Sequence, residues 1–334
     1  MQSLRASALI IAAVLGVAAG LVGALAAAVP ARAQECPGNP DVLGTSRVLV
    51  LEPGTPTKIG VMQYPQTLPL ADKEVVLTFD DGPLPPYSNQ VLDILAAQCV
   101  QATYFLVGQM ARNYPAVVRR IYEAGHSIGT HSEDHPSGFQ KLPLEKLRQE
   151  IDDGIADVSA ALGDPQALAP FFRIPGLART DAIEDELAAR SLIVFSSDTV
   201  ADDWHRRIRP RDIVQRAMSR LEKRGKGILL LHDIHAATVA ALPELLKQLK
   251  DAGFRIVHVV PAATDQIEIA GKTVRSARYF GGGATLTRST NKPASTQRRH
   301  IVCQRLHVRV AELVGNVSHR GDTRPDARAG FIVP

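Results

Sequence analysis

The sequence predicts an α/β protein: a (β/α) barrel of seven to eight parallel strands that forms a single domain. Seven short, almost wholly apolar runs alternate with helical patterns between residues 75 and 260. Such runs are typical of parallel strands that are covered on both faces. Seven of them within about 190 residues favour a closed or nearly closed barrel over two domains. An open doubly wound sheet is the alternative, but no Gly-x-Gly-x-x-Gly turn follows the first run.

Each predicted element follows from residue type and spacing. The strands are runs rich in β-branched and aromatic residues, bounded by turn signals such as Asp80-Asp81-Gly82-Pro83. They are Val75–Phe79, Thr103–Val107, Ser127–Thr130, Phe171–Ile174, Leu192–Ser196, Ile228–Leu231 and Phe254–Val260. The helices carry apolar residues three and four apart. They are Asn89–Ala97, Pro115–Ala124, Leu144–Leu162, Asp181–Ala189, Arg211–Arg224 and Ala240–Ala252.

The chain is predicted to have four parts. Residues 1–33 are typical of a secretory signal, because Arg5 precedes an uncharged stretch and Ala31-Arg32-Ala33 supplies a cleavage site. Cleavage after Ala33 would export the protein and leave no stable membrane span, whereas an uncleaved membrane anchor is the alternative. Residues 34–74 are predicted to be an N-terminal extension that packs on the barrel, 75–270 the barrel domain, and 271–334 a basic, disordered tail.

Charge is distributed unevenly along the chain. Residues 34–274 contain 25 Lys and Arg against 31 Asp and Glu, whereas residues 275–334 contain 11 against 3. The acidic body argues against nucleic acid as the main partner, since phosphate binding needs a clustered basic face. The basic tail lacks an apolar period, and a cell-wall-binding arm is an alternative to a disordered segment.

Two of the three cysteines are predicted to pair. Cys36 and Cys99 both lie in the body of the chain, and an oxidising compartment after export would allow a disulfide between them. The alternative is that Cys99 is a small buried hydrophobic residue on a helix.

The residues that follow the predicted strands point to a catalytic metal. Asp80 and Asp81 follow the first strand, and His131 and His135 follow the third. Two histidines four residues apart share one face of a helical turn, so both can reach one ion. Together with Asp81 they provide two imidazoles and one carboxylate, a set that leaves positions open for water. The alternatives are an ordinary Asp-Gly turn and a polar loop with solvated histidines.

Further polar residues follow the later strands. Arg173 after the fourth strand can brace a carboxylate, and Gly176 can present a backbone N–H. Asp203 and Trp204 follow the fifth strand. His232 ends the Ile228 strand and is a candidate general acid, although a histidine there is often a core residue. If the barrel is correct, all these groups lie at one mouth.

Five ordered motifs resemble those of the polysaccharide deacetylases, the NodB-homology carbohydrate esterases. They are Thr78-Phe79-Asp80-Asp81-Gly82-Pro83, His131-Ser132-x-x-His135-Pro136, Arg173-x-Pro175, Asp203-Trp204 and Leu230-Leu231-His232. The resemblance implies a distorted (β/α) barrel that forms a single catalytic domain. It further implies hydrolysis of N-acetyl or O-acetyl groups on an acetylated glycan such as chitin oligomers, peptidoglycan or exopolysaccharide. It also implies a divalent metal, usually zinc, with cobalt, nickel or manganese as alternatives.

The resemblance also implies roles for individual residues. The metal ligands would be Asp81, His131 and His135. The catalytic residues would be the general base Asp80 with its brace Arg173, and the general acid His232 with its partner Asp203. Trp204 and Leu230 would line the pocket for the acetyl methyl group. The third motif departs from the family pattern, since Gly176 replaces an aromatic residue and removes one wall of the sugar site. The fourth motif is stretched, so Asp198 or Asp202 could partner His232 instead. The alternative functions are a metal-dependent esterase or amidase on a small molecule and a non-catalytic glycan-binding barrel.

Overall fold

A computed structural model describes residues 41–51, 57–262, 267–269 and 272–274. Its strands are β1 (Thr45–Leu51), β2 (Lys58–Ile59), β3 (Glu74–Asp80), β4 (Thr103–Leu106), β5 (Ser127–Thr130), β6 (Phe171–Phe172), β7 (Ile193–Phe195), β8 (Thr199–Val200), β9 (Gly227–His232), β10 (Arg255–Pro261), β11 (Ile267–Ile269) and β12 (Lys272–Val274). Its α-helices are α1 (Tyr87–Ala97), α2 (Gly108–Asn113), α3 (Pro115–Glu123), α4 (Leu144–Leu162), α5 (Asp181–Ala189), α6 (Pro210–Arg224) and α7 (Ala236–Asp251).

The predicted α/β barrel fold is confirmed. Strand β3 pairs in parallel with β4 on one side and with β9 on the other. The sheet then runs from β4 through β5, β6 and β7 to β2, while β9 continues to β8. Strand β1 pairs with β10, which in turn pairs with the first residues of β3. Every pairing in this sheet is parallel, and from β3 to β10 α-helices lie between successive strands except between β7 and β8.

The number of strands was underestimated. All seven predicted strands are present, but the sheet has ten, because β1, β2 and β8 also join it. Strands β2 and β8 have two residues each, too few for a sequence period. The first two of these extra strands come from the N-terminal extension. Helix α2 and the β11–β12 hairpin were also not predicted, and helix α7 begins at Ala236 rather than Ala240.

The alternation of side chains in β3 places the polar site inside the barrel. Leu77 and Phe79 pack with residues of the helices, whereas Val76 packs with inner residues such as Phe105 and Phe171. Because successive residues of a strand point to opposite faces, Thr78 and Asp80 share the inner face with Val76. The apolar interior therefore ends in a carboxylate at the carboxyl end of the strand.

Several predictions fall on residues that are not described. The signal sequence 1–33 and the tail from residue 275 onward lie outside the described residues. Cys36 also lies outside them, so the Cys36–Cys99 disulfide stays a prediction. Among the described residues, none of the helices combines the length and the apolar character needed to cross a membrane.

Candidate active site

The sheet brings the predicted site residues together at the carboxyl ends of its strands. Asp80 is the last residue of β3, and its register partners are Phe105 in β4 and His232 in β9. Strand β5 ends at Thr130, so His131 leaves the same edge of the sheet one residue later. In parallel barrels this end is where catalytic groups collect.

Asp81, His131 and His135 form a candidate metal centre. Asp81 Oδ1 lies 3.4 Å from His131 Nε2 and 3.6 Å from His135 Nε2, and one ligand atom from each residue lies within 4.8 Å of the others. Asp81 Oδ1 is buried and accepts no hydrogen bond from the described residues. Burial of a carboxylate oxygen is costly unless a hydrogen bond or an ion compensates it. The two imidazoles and this oxygen therefore fit a divalent cation, and the set matches the ligand types of zinc.

The backbone of Arg173 fixes the orientation of His131. His131 Nδ1 lies 2.6 Å from the carbonyl oxygen of Arg173, so this nitrogen donates and the lone pair of Nε2 faces Asp81. Burial lowers the pKa of His131 to about 4, and the ring is neutral at physiological pH. A hydrogen bond from the far ring nitrogen is the usual support of a metal-binding histidine.

The two histidines lie on an irregular loop, which corrects the predicted helical turn. Ser132 and His135 adopt left-handed φ values of 66° and 49°. Backbone N–H groups at the start of α2 hold this loop: Gly108 N donates to Ser132 O and Gln109 N to Glu133 O, both at 2.9 Å. The histidine rings still approach to 4.8 Å between centroids. The four-residue spacing correctly predicted that the two histidine rings lie close together, but it did not predict the backbone conformation of the loop.

Asp80 is held by Arg173, whose side chain is completely buried. Arg173 Nη1 donates to Asp80 Oδ1 at 2.6 Å and to Thr78 Oγ1 at 2.8 Å. The other guanidinium nitrogens donate to the carbonyl oxygens of Phe195 and Ser196. This buried ion pair leaves Asp80 Oδ2 on the side of the metal centre, 3.9 Å from His131 Nε2.

His232 is held by Asp203. The Asp203 carboxylate accepts from His232 Nδ1 at 2.8 Å, from the His232 backbone N–H at 2.8 Å and from Thr238 Oγ1 at 2.7 Å. Burial alone would lower the pKa of His232, but the charge and hydrogen bond of Asp203, with smaller contributions from Asp81 and Asp80, raise it to about 10. His232 Nε2 points toward the metal centre, 3.8 Å from Asp81 Oδ2.

The other two candidate partners of His232 have different contacts. Asp202 pairs with arginines of α6. Asp198 accepts hydrogen bonds from Val61 N, Thr67 Oγ1 and Ile228 N and so fastens the N-terminal extension to the sheet. Only Asp203 of the three contacts the imidazole in the described hydrogen-bond network.

The predicted pocket residues differ in how closely they approach the site. The Trp204 ring meets the His232 ring edge to face, with 5.7 Å between centroids. Leu230 is buried and, two residues before His232 in β9, lies on the same face of that strand. Gly176 lies on an exposed turn after β6 with φ of 61°, and a methyl group added there would meet no atom within 4 Å. The space beside Gly176 is therefore open.

Two neighbours of the site had no predicted role. The half-buried His235 ring lies 5.8 Å from that of His232. Asp233 is fully buried behind Gly82, where an added Cβ would lie 2.3 Å from its Oδ1. Burial raises the pKa of Asp233 to about 7. Asp233 directly follows the predicted His232 and His235 lies three residues after it, so proximity in sequence was the available signal.

Comparisons with known proteins place the chain in one family. A polysaccharide deacetylase family profile matches residues 68–192. A peptidoglycan-N-acetylglucosamine deacetylase of Bacillus cereus is 33% identical over 201 residues, which cover 58% of this chain and 89% of that protein. The chain belongs to the polysaccharide deacetylase family.

Two further relatives extend the comparison. The peptidoglycan-N-acetylglucosamine deacetylase PgdA of Listeria monocytogenes is 30% identical over 214 residues, which cover 64% of this chain but only 43% of that protein. The chain thus matches less than half of the length of this relative. The solved structure of a Bdellovibrio bacteriovorus peptidoglycan deacetylase superposes with a TM-score of 0.58 at 26% identity, covering 71% of this chain and 66% of that one.

Proposed function

We propose that this protein is a metal-dependent hydrolase that removes N-acetyl groups from a cell-wall polysaccharide, with peptidoglycan as the favoured substrate. The observation that carries the proposal is that a candidate general base and a candidate general acid lie next to the candidate metal centre. The Asp80 carboxylate, braced by Arg173, and the His232 imidazole, held by Asp203, each lie within 4 Å of a candidate metal ligand. The names of the B. cereus, Listeria and Bdellovibrio relatives support peptidoglycan.

Asp81, His131 and His135 would hold the metal, with zinc favoured by the two imidazoles. Cobalt, nickel and manganese are the other candidates. When bound, a divalent ion supplies Lewis-acid polarisation of the acetyl carbonyl and lowers the pKa of the attacking water. Asp81 contributes the negative charge, and the Arg173 carbonyl keeps His131 in the ligating tautomer.

Asp80 is the proposed general base. Its free oxygen faces the centre, where it can accept a proton as water adds to the acetyl carbonyl carbon. Arg173 donates to the other oxygen and compensates its charge, so the Asp80 side chain is held in one orientation. The backbone N–H of Gly176 is the proposed additional donor to the oxyanion.

His232 is the proposed general acid. Its raised pKa keeps the imidazole protonated at neutral pH, and Nε2 is directed toward the centre. It would donate that proton to the glucosamine nitrogen as the C–N bond breaks, giving acetate and a free amine. Trp204 and Leu230, which flank His232, would enclose the acetyl methyl group.

The signal-like residues 1–33 and the cell-wall relatives support an exported protein that acts outside the cytoplasm. Two other functions would share this site: a metal-dependent esterase or amidase on a small molecule, and a glycan-binding barrel without turnover.

Acetate release decides among these functions. The full chain should release acetate from peptidoglycan, chitin oligomers or acetylated exopolysaccharide, and a chelator should stop the release until a divalent metal is restored. Acetate release from small N-acetyl amides or O-acetyl esters alone would favour the small-molecule hydrolase. Glycan binding without acetate release by metal-loaded protein would favour the binding protein.

A further inference from the structure

An arginine-rich loop borders the candidate active site. Residues 202–220, which include the loop after β8 and most of α6, contain six arginines and three aspartates. Each of the aspartates is already bound within the fold: Asp202 by Arg216 and Arg220, Asp203 by His232 and Thr238, and Asp212 by Arg209. The remaining positive charge of this segment is therefore not compensated by its own acids.

Arg206 and Arg207 carry most of this uncompensated charge at the surface. Both are exposed. Within the described ranges of the chain, no carboxylate oxygen lies within 4 Å of either guanidinium, whereas most other arginines of the barrel make ion pairs. We name residues 204–209 the rim loop.

The rim loop is joined directly to the site. Its first residue, Trp204, contacts the His232 ring, and the His205 ring lies 5.4 Å from that of Trp204. Since consecutive Cα atoms are about 3.8 Å apart, the Cα atoms of Arg206 and Arg207 lie within about 8 and 11 Å of that of Trp204. At this distance, long arginine side chains are able to contact sugar units next to the one being deacetylated.

The backbone of this region is held in an unusual conformation. Arg207 adopts a left-handed φ of 70°, and Asp202, just before the loop, a left-handed φ of 55°. Non-glycine residues rarely adopt such values, and in folded proteins they cluster at ligand-binding and catalytic segments. The ion pairs from Asp202 to α6 and the contact of Trp204 with His232 hold the beginning of this strained stretch.

We infer that the rim loop binds carboxylates of the substrate through Arg206 and Arg207, so that the preferred substrate is an anionic glycan rather than a neutral one. This inference rests on the proposed function and deepens it. Guanidinium groups pair with carboxylates through two parallel hydrogen bonds. Among the candidate glycans, peptidoglycan presents such groups on the stem peptides beside the N-acetyl groups, whereas chitin oligomers have none.

The test compares one glycan in two charge states. Acetate release is measured with soluble peptidoglycan fragments whose stem-peptide carboxylates are free, with the same fragments after amidation, and with neutral chitin oligomers. The variant is the full chain with Arg206→Gln and Arg207→Gln. The matched control is Lys223→Gln with Arg224→Gln, which removes the same charge from exposed residues at the far end of α6, about 20 Å along the helix.

The rim variant should lower kcat/KM about tenfold on the free-carboxylate fragments and less than about twofold on the amidated ones, as expected for rim charges that steer association. For the unmutated protein, the preference for the free-carboxylate fragments should fall as salt rises from about 0.01 to about 0.1 M, where the Debye length falls from about 30 to about 10 Å. The control variant should match the unmutated protein. Equal losses on both fragments, or an equal loss in the control variant, would overturn the inference.

A binding measurement separates this inference from the proposed function. Co-sedimentation with insoluble peptidoglycan does not require turnover. If no glycan yields acetate, the proposed function fails, yet salt-sensitive binding that is weakened only in the rim variant would still support the rim loop. Acetate release combined with unchanged binding and unchanged charge preference in that variant would overturn the rim loop alone.

Discussion

Replacing Asp203 with asparagine tests whether the negative charge of Asp203 keeps the His232 imidazole protonated. The substitution keeps the shape of the side chain but removes the carboxylate that accepts three hydrogen bonds, two of them from His232. With Asp203 the pKa of His232 is about 10, so the imidazole is protonated throughout the neutral range. Metal loading should be unchanged, because Asp203 does not contact the metal centre.

Without the Asp203 charge, burial becomes the dominant influence on His232. Arg173 compensates Asp80, and a bound cation would compensate Asp81, so we expect the pKa of His232 to fall to about 6.5 or lower. At pH 7.5 at most about one tenth of the molecules would then have a protonated imidazole. The rate should fall at least about tenfold at that pH and recover as the pH is lowered toward 6, whereas the unmutated protein should show no such recovery.

The assay is the pH dependence of kcat for acetate release, with metal content measured in the same samples. Asp202→Asn is the matched control, because it removes a neighbouring charge that pairs with Arg216 and Arg220 instead of His232. A metal-loaded Asp203→Asn protein with the pH profile and rate of the unmutated protein would refute the assignment of His232 as an acid prepared by Asp203.

Three further predictions concern the pH dependence of stability, a buried glycine and the disulfide. Burial lowers the pKa values of His126 and His258 to about 3 and about 4. As the pH falls below about 6.5, these histidines therefore take up protons in the unfolded chain but not in the folded one. The free energy of unfolding should then fall by up to about 1.4 kcal/mol per pH unit for each histidine between about pH 6.5 and 4. Urea unfolding at pH 7 and 5 measures this loss, and equal midpoints would contradict it. In α4, replacing Gly with Ala would usually stabilise the helix by about 0.5–1 kcal/mol. Gly154→Ala should instead destabilise the protein and weaken metal retention, because the added Cβ would lie 2.6 Å from the backbone of Ser132 in the loop that carries His131 and His135. Urea unfolding and metal titration test this prediction, and a gain in stability with unchanged metal affinity would count against it. In exported protein, non-reducing peptide mass spectrometry should find Cys36 linked to Cys99, and two free thiols would exclude the link.

The bounds of an element could be predicted from the sequence where a periodic pattern of apolar residues extends over many residues. Helix α4 has the predicted bounds, because nineteen residues of amphipathic spacing end at Gly163, whose left-handed φ of 76° closes the helix. The strands β2 and β8 were missed since two residues contain no period. Their pairing depends on where β7 and β9 already lie, which is tertiary information.

The candidate site shows the same division. Residue types next to strand ends predicted which groups meet, because parallel strands bring their carboxyl ends to one edge. The contact between His131 Nδ1 and the Arg173 carbonyl could not be predicted, since it joins side chain to backbone across 42 residues. The selection of Asp203 over Asp198 and Asp202 also depended on loop geometry, which sequence spacing did not specify.

The most direct test of the account measures metal content and acetate release together in two variants of adjacent residues. Asp81→Asn should lose the metal and the activity, because it removes a ligand oxygen that the described residues leave without a hydrogen bond. Asp80→Asn should retain about one metal per chain and lose roughly 100-fold or more in rate, as expected for removal of a general base. If Asp80→Asn empties the centre while Asp81→Asn leaves it filled, the assigned roles are reversed, and if both variants stay active, the deacetylase mechanism is contradicted.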